Sequence, residues 1–209
     1  MGAALLLLAA CAREAPAPGL GVGEPFPAGP VRTLDGREAT LPLAGRHSLV
    51  NLWGTWCAPC RRELPALQRL ARSLPEGWQV LGLAVDREAE AVEEYLLDRG
   101  VGYPNFLDPG RSIAEGALAL PAYPATFLVG PDGRILWWAL GARRWDAPGV
   151  AAALGAVARG EPGAREALER ALPPDRRRAG GPSQRAPALA NIAPPASIAP
   201  FHQSGRGGA

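Results

Sequence analysis

Two cysteines separated by two residues, Cys57 and Cys60, are the strongest candidates for chemistry in this chain. They follow an almost continuous apolar run from Ser48 to Trp53 and precede a segment, 58–74, in which apolar residues recur at steps of three and four. The run predicts a buried strand, and the periodic segment predicts an amphipathic helix that begins at the cysteine pair. The pair is therefore expected at a helix N-terminus.

This position predicts redox chemistry for the two thiols. Unpaired backbone N–H groups and the helix dipole stabilise a negatively charged sulfur, so the pKa of the Cys57 thiol is expected below the free value of about 8.5. Cys57 is the predicted nucleophile. Cys60 lies on the first helical turn, within disulfide reach and less exposed, and is predicted to resolve a mixed disulfide.

A zinc site and a purely structural disulfide are weaker interpretations of the cysteine pair. A structural zinc site needs four ligands, and the chain offers only Cys11 and two isolated histidines, His47 and His202, in addition. A purely structural disulfide would close a very small loop and would constrain the unfolded chain little. The residues thus favour a redox-active dithiol over both alternatives.

The overall composition excludes several classes of function. All 22 basic residues are arginines, so no lysine is present for a Schiff base or for a phosphate-binding loop. Two histidines are too few for a histidine-rich metal site and offer no obvious base for a hydrolase. Residues 20–160 carry 14 arginines against 15 acidic residues, which is not the basic surface expected of a nucleic-acid-binding protein.

The chain divides into three predicted parts: a leader and tether over 1–23, a folded domain over 24–160, and a Pro/Gly/Arg-rich tail over 161–209, mostly disordered. The apolar run 3–10 is shorter than the roughly 20 residues of a membrane span and is typical of a secretion signal. The end of this run and the next residue, Leu8-Ala9-Ala10-Cys11, resemble a bacterial lipobox, so Cys11 is the candidate lipid attachment residue. A non-cleaved leader with an incidental cysteine is the alternative. The leader predicts an extracytoplasmic location, in the periplasm or at the outer face of the cytoplasmic membrane.

The remaining pattern alternates strands and helices. Asp35-Gly36 between the segments VRTL and REATL predicts a hairpin at the start of the domain, and Pro131-Asp132-Gly133 predicts another near its end. We therefore expect an α/β fold with a central mixed β-sheet flanked by helices and an N-terminal β-hairpin extension. The other predicted strands are 78–85, 104–107, 125–129 and 134–140, and the other predicted helices are 88–99, 111–118, 145–158 and 164–172.

The segment VNLWGTWCAPCRRELPAL, residues 50–67, resembles the active-site segment of TlpA/ResA-type thioredoxin-fold thiol-disulfide oxidoreductases. The resemblance extends through AVD at 84–86 and YPATFLVGPDGRI at 123–135, and it covers residues 20–158. It implies a thioredoxin-like fold and a cis Pro124 that faces the dithiol, with the Tyr123 backbone pairing with a substrate chain. An ordinary trans proline before an edge strand is the alternative.

The resemblance also assigns roles to residues around the dithiol. Glu63 matches a glutamate that these reductases have beside their cysteines, and it is expected to accept the Cys60 proton or to raise the cysteine pKa values. The alternative is a solvated carboxylate paired with an arginine. Asn51 stands where cytosolic thioredoxins have a buried aspartate. Trp56 is expected to shield the dithiol or to contact the partner.

Together these features predict an extracytoplasmic thiol-disulfide oxidoreductase, tethered to the membrane, that needs no cofactor beyond its redox-active disulfide. The resemblance implies protein disulfides as substrates, apocytochrome c among them, and a membrane thiol reductase as the electron donor. A thiol oxidase using the same site and a thioredoxin-fold copper-delivery protein are the alternatives. Copper delivery is disfavoured because such proteins separate their cysteines by three residues, and a peroxiredoxin is disfavoured because its Pro/Thr-rich cysteine loop is not found.

Overall fold

The computed structural model describes residues 21–27 and 29–173. Cys11, nearly all of the predicted leader and tether, and all but the first part of the predicted tail lie outside the described residues. Among the described residues, no helix combines the length and hydrophobicity needed to cross a membrane.

One mixed β-sheet of seven strands organises the domain, in the order β2-β1-β5-β4-β3-β6-β7. The pairs β3/β4 and β4/β5 are parallel, and all other pairs are antiparallel. The strands are β1 (Val31–Thr33), β2 (Glu38–Ala39), β3 (His47–Trp53), β4 (Trp78–Ala84), β5 (Asn105–Leu107), β6 (Ala125–Val129) and β7 (Ile135–Leu140). The α-helices are α1 (Ala58–Ser73), α2 (Ala89–Asp98), α3 (Val150–Ala158) and α4 (Ala164–Ala171).

This arrangement confirms the predicted mixed sheet, its flanking helices and the N-terminal hairpin. β1 and β2 pair across the turn at Asp35-Gly36, where Gly36 adopts a positive φ of 85°. β6 and β7 form the second predicted hairpin. The central strand β3 lies between β4 and β6, and it is buried from Ser48 to Trp53. A strand in this position is covered on both faces, which explains its nearly continuous hydrophobic sequence.

Alternation along β3 divides the core into two layers. Leu49 and Trp53 face the layer that contains the buried residues of all four α-helices. Val50 and Leu52 face the opposite layer, which is closed by N-terminal segments and by residues of the segment 112–120. The strand that leads to the cysteine pair is therefore fixed from both sides.

Two predicted helices differ from the structure. The segment expected as a helix over 111–118 is a π-helix over Ser112–Ala117, in which the Leu118 N–H donates to the Ile113 carbonyl. Arg111 lies outside it, with a left-handed backbone at φ 60°. The buried Asp108 carboxylate accepts the N–H groups of Ile113 and Ala114 and thereby begins this helix.

The helix predicted over 145–158 begins only at Val150. Trp145 is buried and precedes a turn in which the Ala147 N–H donates to the Arg144 carbonyl. Pro148 disfavours a helical backbone at the residue before it, and Gly149 has a positive φ of 85° at the helix N-cap. The local backbone thus delays the helix despite a suitable apolar pattern.

The packed core continues past residue 160. Ala164 and Leu168 of α4, together with Leu172, belong to the same buried layer as α1 and α3. The folded domain therefore includes the helix predicted over 164–172, although the predicted boundary separates that helix from the domain.

We predict that Leu168→Ala lowers the free energy of unfolding by about 2–5 kcal/mol, because it removes a fully buried side chain and leaves a cavity. Denaturant unfolding measures the change. The matched control is Leu97→Ala on α2, where the side chain is 76% exposed, and a change within about 0.5 kcal/mol is expected there. Equal, small effects at both positions would contradict the packing of α4 into the core.

Candidate active site

The cysteine pair lies between the end of β3 and the start of α1. Cys57 is the N-cap of α1 and has an extended backbone, with φ −86° and ψ 102°. Its Sγ accepts a hydrogen bond from the Cys60 N–H at 3.3 Å, so one of the unpaired backbone donors at the helix start points at this sulfur. The two residues form a disulfide, and both are buried. The predicted position at a helix N-terminus is confirmed.

The loop before Cys57 is held by a carboxylate from a different strand. Asp86, just after β4, accepts hydrogen bonds from the Thr55 backbone N–H at 3.0 Å and from its hydroxyl at 2.6 Å. The Trp56 indole packs closely over Gly54, where a Cβ would lie 2.8 Å from the ring. The geometry of the dithiol is therefore set by contacts outside the cysteine motif itself.

Pro124 faces this end of the sheet from the neighbouring strand. The peptide bond between Tyr123 and Pro124 is cis, as the resemblance implies. Pro124 immediately precedes β6, and β6 pairs with β3 from Leu52↔Ala125 onward. Because β3 ends just before the cysteine loop, the pairing brings the cis-proline and the dithiol to the same end of the two strands.

Trp56 and Tyr123 contact each other across this end of the sheet. Their rings meet edge to face with centroids 5.8 Å apart. Trp56 remains 55% exposed, which is unusual for a residue of this size. The predicted substrate-contacting residues are thus brought together beside the disulfide, with an apolar surface available to a partner.

Glu63 is buried on α1, three residues after Cys60, and only 2% of its surface is exposed. Asn51 Nδ2 donates to its Oε1 at 2.8 Å, while the Arg143 backbone N–H and Trp145 Nε1 donate to its Oε2 at 3.0 and 3.1 Å. The solvated, arginine-paired alternative is therefore wrong for this carboxylate.

Burial raises the pKa of Glu63 to about 7, and the three hydrogen bonds oppose this effect only in part. A carboxyl group with such a pKa can gain or lose a proton near neutral pH. The Asn51 amide also donates to the Thr126 hydroxyl at 2.9 Å. Through Asn51, the Glu63 carboxyl is therefore linked to both β3 and β6. This arrangement suits a proton carrier beside the dithiol.

Three residues that shape the site carry no recognisable signal of that role in the sequence: Asp86, Arg143 and Trp145. Asp86 belongs to the AVD motif, but the motif does not indicate that its carboxylate holds the cysteine loop. The contacts of Arg143 and Trp145 with Glu63 span 80 and 82 residues of sequence, and no local pattern encodes them.

Within residues 21–27 and 29–173, no group of three or more His, Cys, Asp or Glu side chains is placed to hold a metal ion.

Comparisons with known proteins agree with this site. Residues 22–138 match the AhpC/TSA family, which is more than half of the chain. A thiol-disulfide oxidoreductase, ResA, from Bacillus thuringiensis strain Al Hakam is 31% identical over 117 residues, which are 55% of this chain and 67% of the relative.

Solved structures of similar proteins show the same fold. A thiol:disulfide interchange protein from a Bacteroides species is 25% identical with a TM-score of 0.55, covering 61% of this chain and 85% of the other. A thiol:disulfide interchange protein, DsbE, from Chlorobium tepidum is 21% identical with a TM-score of 0.56, covering 66% and 95%. The chain belongs to the AhpC/TSA family, and it is a thioredoxin-fold thiol-disulfide oxidoreductase of the ResA type.

Proposed function

We propose that this chain reduces disulfides of proteins outside the cytoplasm, with apocytochrome c as a substrate. The observation that carries the redox role is the Cys57 Sγ at the head of α1, which accepts the Cys60 N–H. A helix start favours the thiolate over the thiol, so the reduced enzyme would present a nucleophile at neutral pH. The resemblance to ResA-type reductases supports the choice of substrate.

The proposed location follows from the leader. The apolar run 3–10 and the lipobox-like Cys11 support export and a lipid anchor at the outer face of the cytoplasmic membrane or in the periplasm. A membrane thiol reductase would then be the electron donor, since two dithiol proteins held at one membrane meet readily. The reaction needs no cofactor beyond the dithiol.

Reduction begins when the Cys57 thiolate attacks one sulfur of a substrate disulfide. A bond forms between Cys57 Sγ and that sulfur, the substrate S–S bond breaks, and the second substrate sulfur leaves as a thiolate that takes a proton from water. The product is a mixed disulfide between enzyme and substrate. Trp56 and Tyr123 flank this linkage, and the Tyr123 backbone would pair with the substrate chain.

Resolution requires a thiolate at Cys60. After losing its proton, Cys60 attacks Cys57 Sγ, forms the intramolecular disulfide and expels the first-attacked substrate sulfur as a thiolate. Two electrons have then passed from the enzyme dithiol to the substrate. Exchange with the dithiol of the membrane reductase supplies two electrons and two protons and restores the reduced enzyme.

Glu63 is the proposed proton acceptor for Cys60. Both residues are buried on α1 at a spacing of three, which places them on one helix face. A pKa of about 7 lets the carboxylate take the proton during resolution and release it afterwards. The hydrogen bonds from Asn51, Arg143 and Trp145 keep the group oriented in either state.

The reduction potential of the Cys57–Cys60 couple decides the direction. A reductant should equilibrate near the roughly −270 mV of thioredoxin, whereas a thiol oxidase should lie near about −120 mV. Equilibration with glutathione redox buffers measures the value. A potential in the oxidase range would overturn the proposed direction and favour the oxidase alternative at the same site.

We predict that Cys57→Ser abolishes reduction of insulin disulfides, because the attacking sulfur is lost. Cys60→Ser should retain the first attack and accumulate a mixed disulfide, visible by non-reducing electrophoresis or mass spectrometry. Cys11→Ser removes the third cysteine and serves as the control, with turnover of the purified protein retained. Normal turnover by Cys57→Ser would refute its assignment as the nucleophile.

The raised pKa of Glu63 predicts that the free energy of unfolding depends on pH. Its pKa is about 7 in the folded oxidised protein, against an ordinary value of 4.5 for an exposed glutamate, so the folded state holds an extra proton between these values. The free energy of unfolding should therefore fall by about 3 kcal/mol as pH rises from 4.5 through 7.

Glu63→Gln should remove this slope, as measured by urea unfolding across the pH range. Glu76→Gln changes an exposed glutamate and controls for the loss of one negative charge. A slope that survives unchanged in Glu63→Gln would show that other groups cause it.

A further inference from the structure

Arg111 occupies a backbone conformation that residues with side chains rarely adopt. Its φ of 60° and ψ of 33° lie in the left-handed region, between Gly110 and the π-helix Ser112–Ala117. Such a conformation is unfavourable for arginine and persists only where its surroundings impose it. Single π-type turns also occur often at functional sites. Contacts around Arg111 must therefore hold it in place.

Asp108 imposes the conformation. Its carboxylate is buried and accepts the N–H groups of Ile113 and Ala114 and the hydroxyl of Ser112, while its backbone carbonyl accepts the Arg111 N–H. The turn around Arg111 is thus tied at both ends to one buried residue. As a result the Arg111 side chain leaves the backbone in a fixed direction.

The Arg111 side chain extends to Trp56, the residue before Cys57. The guanidinium carbon lies over the Trp56 indole, 5.7 Å from the ring centroid, which is a cation–π distance. Arg111 Nε donates to the Val85 carbonyl at 3.2 Å, and Nη1 donates to Glu115 Oε1 at 2.9 Å. The cation is therefore held in place on two sides while it covers the indole.

The contacts close into a ring. Glu115, paired with Arg111, also accepts a hydrogen bond from the Tyr123 hydroxyl at 3.3 Å, and Tyr123 packs edge to face on Trp56. We call these four residues, Trp56, Arg111, Glu115 and Tyr123, the rim cluster. One member precedes Cys57 and another precedes the cis-proline, so the cluster joins the two walls between which a substrate chain would lie.

The rim cluster restricts an exposed aromatic ring. A tryptophan that is 55% exposed would ordinarily lose side-chain freedom when a partner binds, and that loss weakens binding. The side-chain freedom of Trp56 is already restricted in the free protein, because its ring packs against Gly54, Arg111 and Tyr123. The indole therefore loses less conformational entropy when a partner binds.

We propose that Arg111 is a specificity-determining positioning residue for disulfide exchange. It acts through Trp56: by holding the indole beside Tyr123, it gives extended polypeptide disulfides a preformed surface. A small disulfide needs access only to the Cys57 sulfur and gains nothing from that surface. The inference rests on the proposed exchange reaction and adds to it the residue that distinguishes protein substrates from small ones.

The test compares two substrates of the full-length reduced protein. Arg111→Met keeps an unbranched side chain and removes the cation and its donors. We expect kcat/KM for insulin to fall by about three- to tenfold, chiefly through KM, since one ordered side chain is lost from the binding surface. The rate with 2-hydroxyethyl disulfide, which is small, uncharged and not aromatic, should stay within about twofold of wild type, because the helix start that activates Cys57 is untouched.

Arg134→Met is the matched control. Arg134 is an exposed arginine paired with Asp132 in the turn between β6 and β7, at the far end of β6 from Pro124. Both rates should match wild type. Acrylamide quenching of tryptophan fluorescence adds a direct readout, because Trp56 is the exposed indole among the described residues and should become more accessible in Arg111→Met.

A double-mutant cycle separates positioning from loss of fold. If Arg111 acts through Trp56, Arg111→Met should add no further loss of insulin kcat/KM in a Trp56→Ala background. Additive losses, equal losses with both substrates, or no loss with insulin would each overturn the proposal. Failure of wild-type protein to reduce either disulfide would instead refute the proposed function itself.

Discussion

A single sulfur held at the start of a helix is the constraint around which this domain is arranged. Cys57 caps α1 and accepts the Cys60 N–H, so the thiol chemistry depends on where the helix begins. That point is fixed from three directions: by β3, buried on both faces, by the Asp86 carboxylate that holds Thr55, and by the β3/β6 pairing that delivers Pro124. Displacing any of these supports would move the sulfur relative to the helix dipole or to the arriving substrate.

Much of this arrangement follows from local sequence. The β3 run, the α1 periodicity and the Asp35-Gly36 turn each carry a strong short-range signal, and the structure confirms all three. The placement of Cys57 at a helix start follows directly from the first two. The cis-proline is different: the residues around Pro124 permit either isomer, and only the resemblance to reductases points to the correct one.

The remaining features depend on contacts that no short window contains. The pattern over 145–158 predicts one helix, but the Pro148-Gly149 pair delays its start to Val150. The left-handed backbone of Arg111 depends on the buried Asp108 carboxylate and not on a glycine. Sequence can suggest that Glu63 matters, but its burial and raised pKa follow from chain segments that meet only in three dimensions.

The donors to Glu63 Oε2 have a consequence for how the site is assembled. The Arg143 N–H and the Trp145 indole reach it from 80 and 82 residues further along the chain, beyond the last hairpin. Enclosure of this carboxyl group therefore needs a chain segment beyond β7 to pack against α1, and closing so long a loop costs conformational entropy. The Cys57–Cys60 pair, in contrast, has a sequence separation of only three and lies at the first turn of α1. The spacing of the two sulfurs is thus a short-range property, whereas the raised pKa of Glu63 requires the completely folded domain.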